Sequence, residues 1–131
     1  MIKNWPWAME ILKSLEKDFG SIEGLSYTVF YTSLKPNPDL LLIGDNPGGT
    51  EQNVKQTELH PEGYHEYFKE DYPLAQKMKE LIFAGADLQM LLRDSVKINR
   101  IFFKSRNLKE LFRNRNFAAP DEYCKPHVET I

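Results

Sequence analysis

The stretch Leu-Leu-Leu-Ile-Gly-Asp-Asn-Pro-Gly-Gly-Thr, residues 40–50, is the strongest indicator of fold in this chain. Leu40–Ile43 is an unbroken apolar run, which is typical of a strand buried on both faces of a parallel sheet. The run stops at a turn-forming segment, Gly44–Gly49, whose two adjacent glycines would let a ligand or another backbone come close. Ligands of open α/β sheets bind at the carboxyl ends of such strands, so we expect a binding site after Ile43.

The same segment is also compatible with an ordinary turn. Asn-Pro-Gly is a common turn sequence, in which Asn46 would act as an Asx-turn residue before Pro47. The segment is not a phosphate-binding Walker loop, because no Gly-Lys-Ser/Thr follows, and it lacks the Gly-x-Gly-x-x-Gly spacing of dinucleotide-binding proteins. Turn and binding loop therefore both remain open at this point.

Composition indicates a globular protein. The chain has 131 residues, of which 41% are hydrophobic and 27% charged, so we expect one domain over residues 1–131. No apolar run reaches membrane-spanning length, and the N-terminus lacks the apolar core of a signal peptide. The single cysteine, Cys124, excludes an internal disulfide and a cysteine-ligated metal or iron–sulfur site. We expect a cytoplasmic protein without a membrane segment.

The formal net charge of −2 hides an uneven distribution. Acids outnumber bases from Glu51 to Glu70, whereas the segment from Lys97 to Arg115 is basic and contains a single acid, Glu110. Its seven basic residues are Lys97, Arg100, Lys104, Arg106, Lys109, Arg113 and Arg115. Such a stripe could neutralise nucleic-acid phosphates. The alternative is a solvated helix face.

Hydrophobic spacing predicts alternating helices and strands. The predicted elements are a helix Trp7–Phe19 ended by Gly20, strands at Tyr27–Tyr31 and Leu40–Ile43, a long loop Glu51–Asp71, a helix from Pro73 to Leu92 that breaks near Gly85, a strand Val96–Phe103, a short helix from Asn107, and a last helix from Pro120 to Ile131. This order indicates an α/β protein with three α/β/α layers and a central, mostly parallel sheet. A terminal helix in such a fold normally leads into another strand, so we expect the sheet to be incomplete at the C-terminal end.

Two segments together resemble the uracil-DNA glycosylase superfamily. Gly44-Asp45-Asn46-Pro47-Gly48 resembles its first motif, Gly-x-Asn-Pro-Gly, in the form of the mismatch-specific and single-strand-selective branches. The segment Val96–Arg106 looks like the next strand of the family, in which an Asn ends a hydrophobic run. The tail Tyr123–Val128 is similar to the helix that precedes the following strand. The order and spacing agree from Asp39 to Ile131.

The resemblance implies roles for individual residues. Asn46 would hold the attacking water, while Gly44, Asp45, Pro47 and Gly48 would line the substrate. Gly48 replaces the Tyr that excludes the thymine methyl in stricter relatives, which implies a permissive pocket.

Asn99 would read the flipped base, since its carbonyl could accept from uracil N3–H and its amide could donate to O4. A strand-end Asn bonded to a neighbouring loop is the alternative. Tyr64, Tyr67 and Phe68 are candidates for stacking on the base, and Arg100, Lys104 and Arg106 for binding DNA. The implied partner is uracil-containing or mismatched DNA, with no metal and no cofactor.

The departures from the family pattern concern the histidines and the stacking aromatic, for which no clear Phe matches. The second motif of the family, a His-Pro-Ser-like loop after the next strand, stabilises the leaving uracil and is missing here. His60-Pro61 precedes the long helix and so has the wrong order, His65 is predicted to lie on a lid or the surface, and His127 falls on the last helix. We therefore expect a truncated or partial domain with weak or no excision activity.

Two other functions remain open. The first is a non-catalytic member of the same fold that binds nucleic acid or a protein, as a homodimer that covers an open sheet edge. The second is a small nucleotide-binding α/β protein whose Gly-rich turn holds an anion.

Overall fold

In the computed structural model, the apolar run forms a strand, β1 (Leu41–Gly44), which pairs in parallel with β2 (Val96–Asn99). The structure describes residues 5–45, 47, 54–104 and 120–131. The N–H of Val96 donates to the carbonyl of Leu40 at 3.1 Å, and the N–H of Arg100 donates to that of Gly44 at 2.9 Å. These bonds fix the register of the two strands up to their carboxyl ends. The described chain is thus of mixed α/β class.

The two strands differ in burial. All four residues of β2 are buried. Along β1, exposed and half-buried residues alternate, and Leu41 and Ile43 are 42% and 54% exposed. The prediction that this run is buried on both faces is therefore wrong, because alternating exposure is the pattern of a strand with one open face.

The described residues group into two compact units. The first consists of Phe30–Leu42 and His60–Ile98, and the second takes in the rest of the described chain. The helices of the first unit are α2 (Glu66–Lys69), α3 (Pro73–Lys77), which continues as a π-helical turn over Met78–Ile82, and α4 (Ala86–Arg93). Together with partly buried neighbours, its core contains Tyr67, Ala75 and Leu92.

The predicted break at Gly85 is confirmed. Gly85 has a φ of 96°, a conformation that L side chains rarely adopt, and it separates the π-helical turn from α4. Gln89 holds the two arms together across the break, since its amide donates to the carbonyls of Lys79 and Phe83.

The second unit contains α1 (Pro6–Phe19) and the last helix, α5 (Pro120–Thr130). The prediction of an amphipathic first helix is confirmed, with Pro6 in its first turn and Gly20 at its end. Its core side includes Ala8, Ile11, Leu12 and Leu15. The helix at Pro120 is also confirmed, and His127 lies on it as expected. The short helix predicted from Asn107 lies outside the described residues.

Tyr27–Tyr31 does not form the regular strand that its composition predicts. Its residues make single bridges instead: Tyr27 pairs with Lys55 and with Phe103 in the second unit, and Phe30 pairs with Ile98 in the first. Because the partner changes every few residues, no continuous ladder forms, although β propensity is high. The strand predicted over Val96–Phe103 likewise ends at Asn99, and Phe103 keeps only the bridge to Tyr27.

Candidate functional site

The carboxyl ends of β1 and β2 lie side by side and bring two sequence-predicted residues of the first motif next to Asn99. Hydrogen bonding continues beyond the strands, since the N–H of Ile101 donates to the carbonyl of Asp45 at 3.0 Å. Gly44 and Asp45 therefore face Asn99 and Arg100 within the second unit. This edge is where ligands of parallel sheets bind.

Gly44 leaves room for the Asn99 side chain. A Cβ atom on Gly44 would overlap the amide oxygen of Asn99. Asn99 is 5% exposed, so its amide is held against the Gly44 backbone rather than in open solvent. The glycine of the first motif thus allows the strand-end amide to lie close to the neighbouring strand.

Asp45 and Arg100 form an ion pair at the same edge. The Arg100 Nε donates to the Asp45 Oδ1 at 3.0 Å. The side chain of Arg100 is 45% exposed and that of Asp45 is 71% exposed. An exposed pair of this kind adds little to stability. Its chemical consequence is that a cation predicted to contact DNA is paired with a carboxylate.

The other predicted residues of the second unit are only partly covered by the structure. Pro47 is buried. Asn46, Gly48 and Arg106 lie outside the described residues, so the convergence of Asn46 with Asn99 stays a prediction. Lys104 is half-buried, and its N–H donates to the carbonyl of Ser26 at 2.9 Å.

The candidate stacking residues belong to the first unit. The ring of Tyr64 stacks on that of His60 with 4.1 Å between centroids. Phe68 packs against the core, and the Arg93 guanidinium lies 4.5 Å above its ring. Tyr67 is 3% exposed and forms part of that core. Each ring thus has partners of its own within the unit.

His65 is buried, so the prediction that it lies on a lid or the surface is wrong. It is 2% exposed and caps α2, with Nδ1 accepting from the N–H of Tyr67 at 3.2 Å. Its Nε2 lies 2.9 Å from the Oγ of Ser95, which donates to the carbonyl of Leu92. Burial, followed by the charge of Lys97, lowers the pKa of His65 to about 4. Its place directly before α2 was the available sequence signal, since capping residues accept hydrogen bonds there.

Lys97 is internal and does not belong to an exposed basic stripe. Its ammonium lies 3.3 Å from the Glu66 carboxylate and over the rings of Tyr31 and Tyr67, at 4.2 and 4.8 Å from their centroids. Burial lowers its pKa, and the Glu66 carboxylate opposes that shift. Tyr72 donates to the same carboxylate. Sequence reasoning missed this network because its members are distant in the chain.

Metal binding has no support from side-chain clustering in residues 5–45, 47, 54–104 and 120–131. Within those ranges no group of three or more His, Cys, Asp and Glu could hold an ion. Nor does any helix in them have the length and apolarity to span a bilayer.

The chain matches no protein-family model, no curated protein and no solved structure.

Proposed function

We propose that this chain is a uracil-DNA glycosylase-like protein that binds a flipped nucleobase at the carboxyl ends of β1 and β2. The observation that carries the proposal is the position of Asn99, which lies beside Gly44 of the first motif at the end of two paired parallel strands. The proposal includes the complete architecture of that family, three α/β/α layers around a larger sheet.

Asn99 supplies the specificity in this proposal. Its carbonyl accepts from uracil N3–H and its amide donates to O4, whereas cytosine presents the reverse pattern. A good bidentate pair gives about 1–3 kcal/mol of discrimination, which is roughly 5- to 150-fold in affinity. Extruding the base costs a few kcal/mol, and least for a mismatched or unpaired base.

Asn46 supplies the reaction in this proposal by orienting a water towards the sugar. The bond from C1′ to uracil N1 breaks first, and its electron pair leaves on the uracil anion. The water oxygen then bonds to the cationic C1′ and releases a proton to solvent. An amide is a poor base, so the sugar must develop cationic character before the water attacks. The 131 residues contain no His-Pro motif after Asn99 to stabilise the leaving anion. We therefore expect excision by this chain to be weak or absent.

Binding is tested with two labelled single strands that differ in one base, uracil against cytosine. We expect tighter binding of the uracil strand, and equal binding of both strands by Asn99→Ala. Asn99→Asp is the matched variant, because it keeps the size of the side chain and loses the amide donor. Equal affinity of the wild type for both strands would contradict the proposal.

Excision is tested by alkaline cleavage of abasic sites in single-stranded and G·U mismatched DNA. We expect little product from the wild type. Brisk turnover that Asn46→Ala abolishes would show that the missing His-Pro motif is not needed.

A second candidate is a non-catalytic protein-binding member of the fold. It is favoured by exposed apolar side chains in the first unit, where Leu81, Met90 and Ile82 are 73%, 64% and 58% exposed. Exposed apolar patches mark interaction sites. Sedimentation velocity over a concentration series tests self-association. A monomer at all concentrations would exclude the homodimer.

A further inference from the structure

The Asp45–Arg100 pair is built into the backbone of the two strand ends. The N–H of Arg100 is held by the carbonyl of Gly44, and the N–H of Ile101 by that of Asp45. Both side chains therefore start from neighbouring backbone positions. The contact between Nε and Oδ1, at 3.0 Å, follows from this register.

We propose that Asp45 competes with nucleic-acid phosphate for Arg100 and so weakens sequence-independent DNA binding at this edge. The inference rests on the proposed function in that the ligand is a nucleic acid. A guanidinium binds carboxylate and phosphate through the same planar set of donors, so the two anions exclude each other at a donor that both need.

The exposure of both side chains allows a phosphate to compete with Asp45 for Arg100. Asp45 is 71% and Arg100 45% exposed at the side chain, so a phosphate can reach the guanidinium without unfolding the strand ends. The Asp45 charge also cancels much of the field of Arg100 at a distant phosphate.

The pairing of Asp45 with Arg100 changes the balance between phosphate contacts and base contacts. Phosphate contacts position a protein on nucleic acid, whereas base contacts specify the sequence. Asp45 reduces only the former, so a larger share of the binding free energy depends on the base at Asn99. Asp45 is thus a specificity-determining residue that acts through Arg100.

The test is a double-mutant cycle on a uracil-free probe, a labelled single-stranded oligothymidylate. Affinity is measured for wild type, Asp45→Asn, Arg100→Gln and the double variant between about 50 and 200 mM salt. We expect Asp45→Asn to tighten binding about threefold to fivefold at the lower salt. Releasing Arg100 also steepens the slope of log K against log salt by about 0.7. In the Arg100→Gln background the same change has less than about a twofold effect.

Glu23→Gln is the control for removal of one negative charge, because Glu23 is an exposed acid of the same unit. The inference is overturned if Asp45→Asn fails to tighten binding, if Glu23→Gln tightens it equally, or if the effect persists without Arg100. It is also overturned if neither wild type nor Asp45→Asn binds the probe. Because the probe contains no uracil, lack of a uracil preference would refute the proposed function and the specificity role of Asp45, while leaving the competition between Asp45 and phosphate for Arg100 standing. Circular dichroism confirms that each variant is folded.

Discussion

At the scale of single residues, Gly44 links the sequence motif to the candidate site. The glycine precedes the predicted catalytic Asn46 and also lies under the Asn99 amide, which it contacts without a side chain. The absence of a Cβ atom at Gly44 therefore allows the close approach of the neighbouring strand. Its role can be separated from that of Asn99 by mutation.

We expect Gly44→Ala to lower the free energy of unfolding by about 1–3 kcal/mol, because the added methyl overlaps the Asn99 amide oxygen. Urea denaturation measures the change. In an Asn99→Ala background the cost of Gly44→Ala should be much smaller, since the overlapping atom is gone. Additive costs in the double variant would show that the two residues do not interfere.

His65 makes stability depend on pH. Its folded-state pKa of about 4 lies below the ordinary value of 6.5, so the unfolded chain binds more protons between these values. Stability from this group is complete above about pH 6.5 and is lost as the pH falls towards 4, by up to about 3 kcal/mol. The cause is burial together with the charges of Lys97, Lys35 and Arg93.

His65→Asn tests this prediction, because Asn still accepts a hydrogen bond at a helix N-terminus but does not titrate. Urea denaturation is compared at pH 7 and pH 4.5. We expect the difference in stability between the two pH values to shrink in the variant. His127 also has a pKa lowered by burial and is present in both proteins, so its contribution cancels. An unchanged pH dependence would contradict the assignment to His65.

At the scale of elements, the helical arms on either side of Gly85 depend on one side chain. Gln89 donates to the carbonyls of Lys79 and Phe83, which lie at and just beyond the π-helical turn. The conformation of Gly85 permits the break between the π-helical turn and α4, and the two hydrogen bonds of Gln89 stabilise it. The sequence pattern predicts the break but not the two hydrogen bonds of Gln89 across it.

We expect Gln89→Ala to destabilise the protein by about 1–2 kcal/mol through loss of both hydrogen bonds. Hydrogen exchange should increase most over residues 78–90. Gln76→Ala is the control, since Gln76 is exposed and donates only to the carbonyl of Asp71, and it should cost less than about 0.5 kcal/mol. Equal effects of the two substitutions would rule out a special role for Gln89.

At the scale of the whole molecule, apolar surface is unevenly distributed. The exposed large hydrophobic residues include Leu81, Ile82 and Met90 in the first unit, whereas β2 is entirely buried. Apolar side chains that protrude in this way contribute little to folding. They therefore offer substitutions that change association without changing stability.

We expect Leu81→Gln to leave the free energy of unfolding within about 0.5 kcal/mol of the wild type, because Leu81 is 73% exposed. The same variant should lower self-association in sedimentation and the binding of a hydrophobic dye. A loss of stability above about 2 kcal/mol would show that Leu81 is a core residue.

Local sequence was sufficient for the elements whose signals are local. The spacing of apolar residues predicts α1, and Pro and Gly mark the start of α5 and the break at Gly85, because these preferences depend on neighbours along the chain. The apolar run also correctly predicts a parallel strand. The adjacency of Gly44 and Asn99 follows from that strand pairing.

Burial was decided by partners far away in the sequence. Leu41 and Ile43 are exposed, while His65 and Lys97 are buried beside Ser95 and Glu66. A hydropathy pattern assigns each side chain an average environment, so it expects an apolar run inside and a charged residue outside. Hydrogen bonds and ion pairs offset the desolvation cost of buried polar groups, and those partners come together only once the chain has folded.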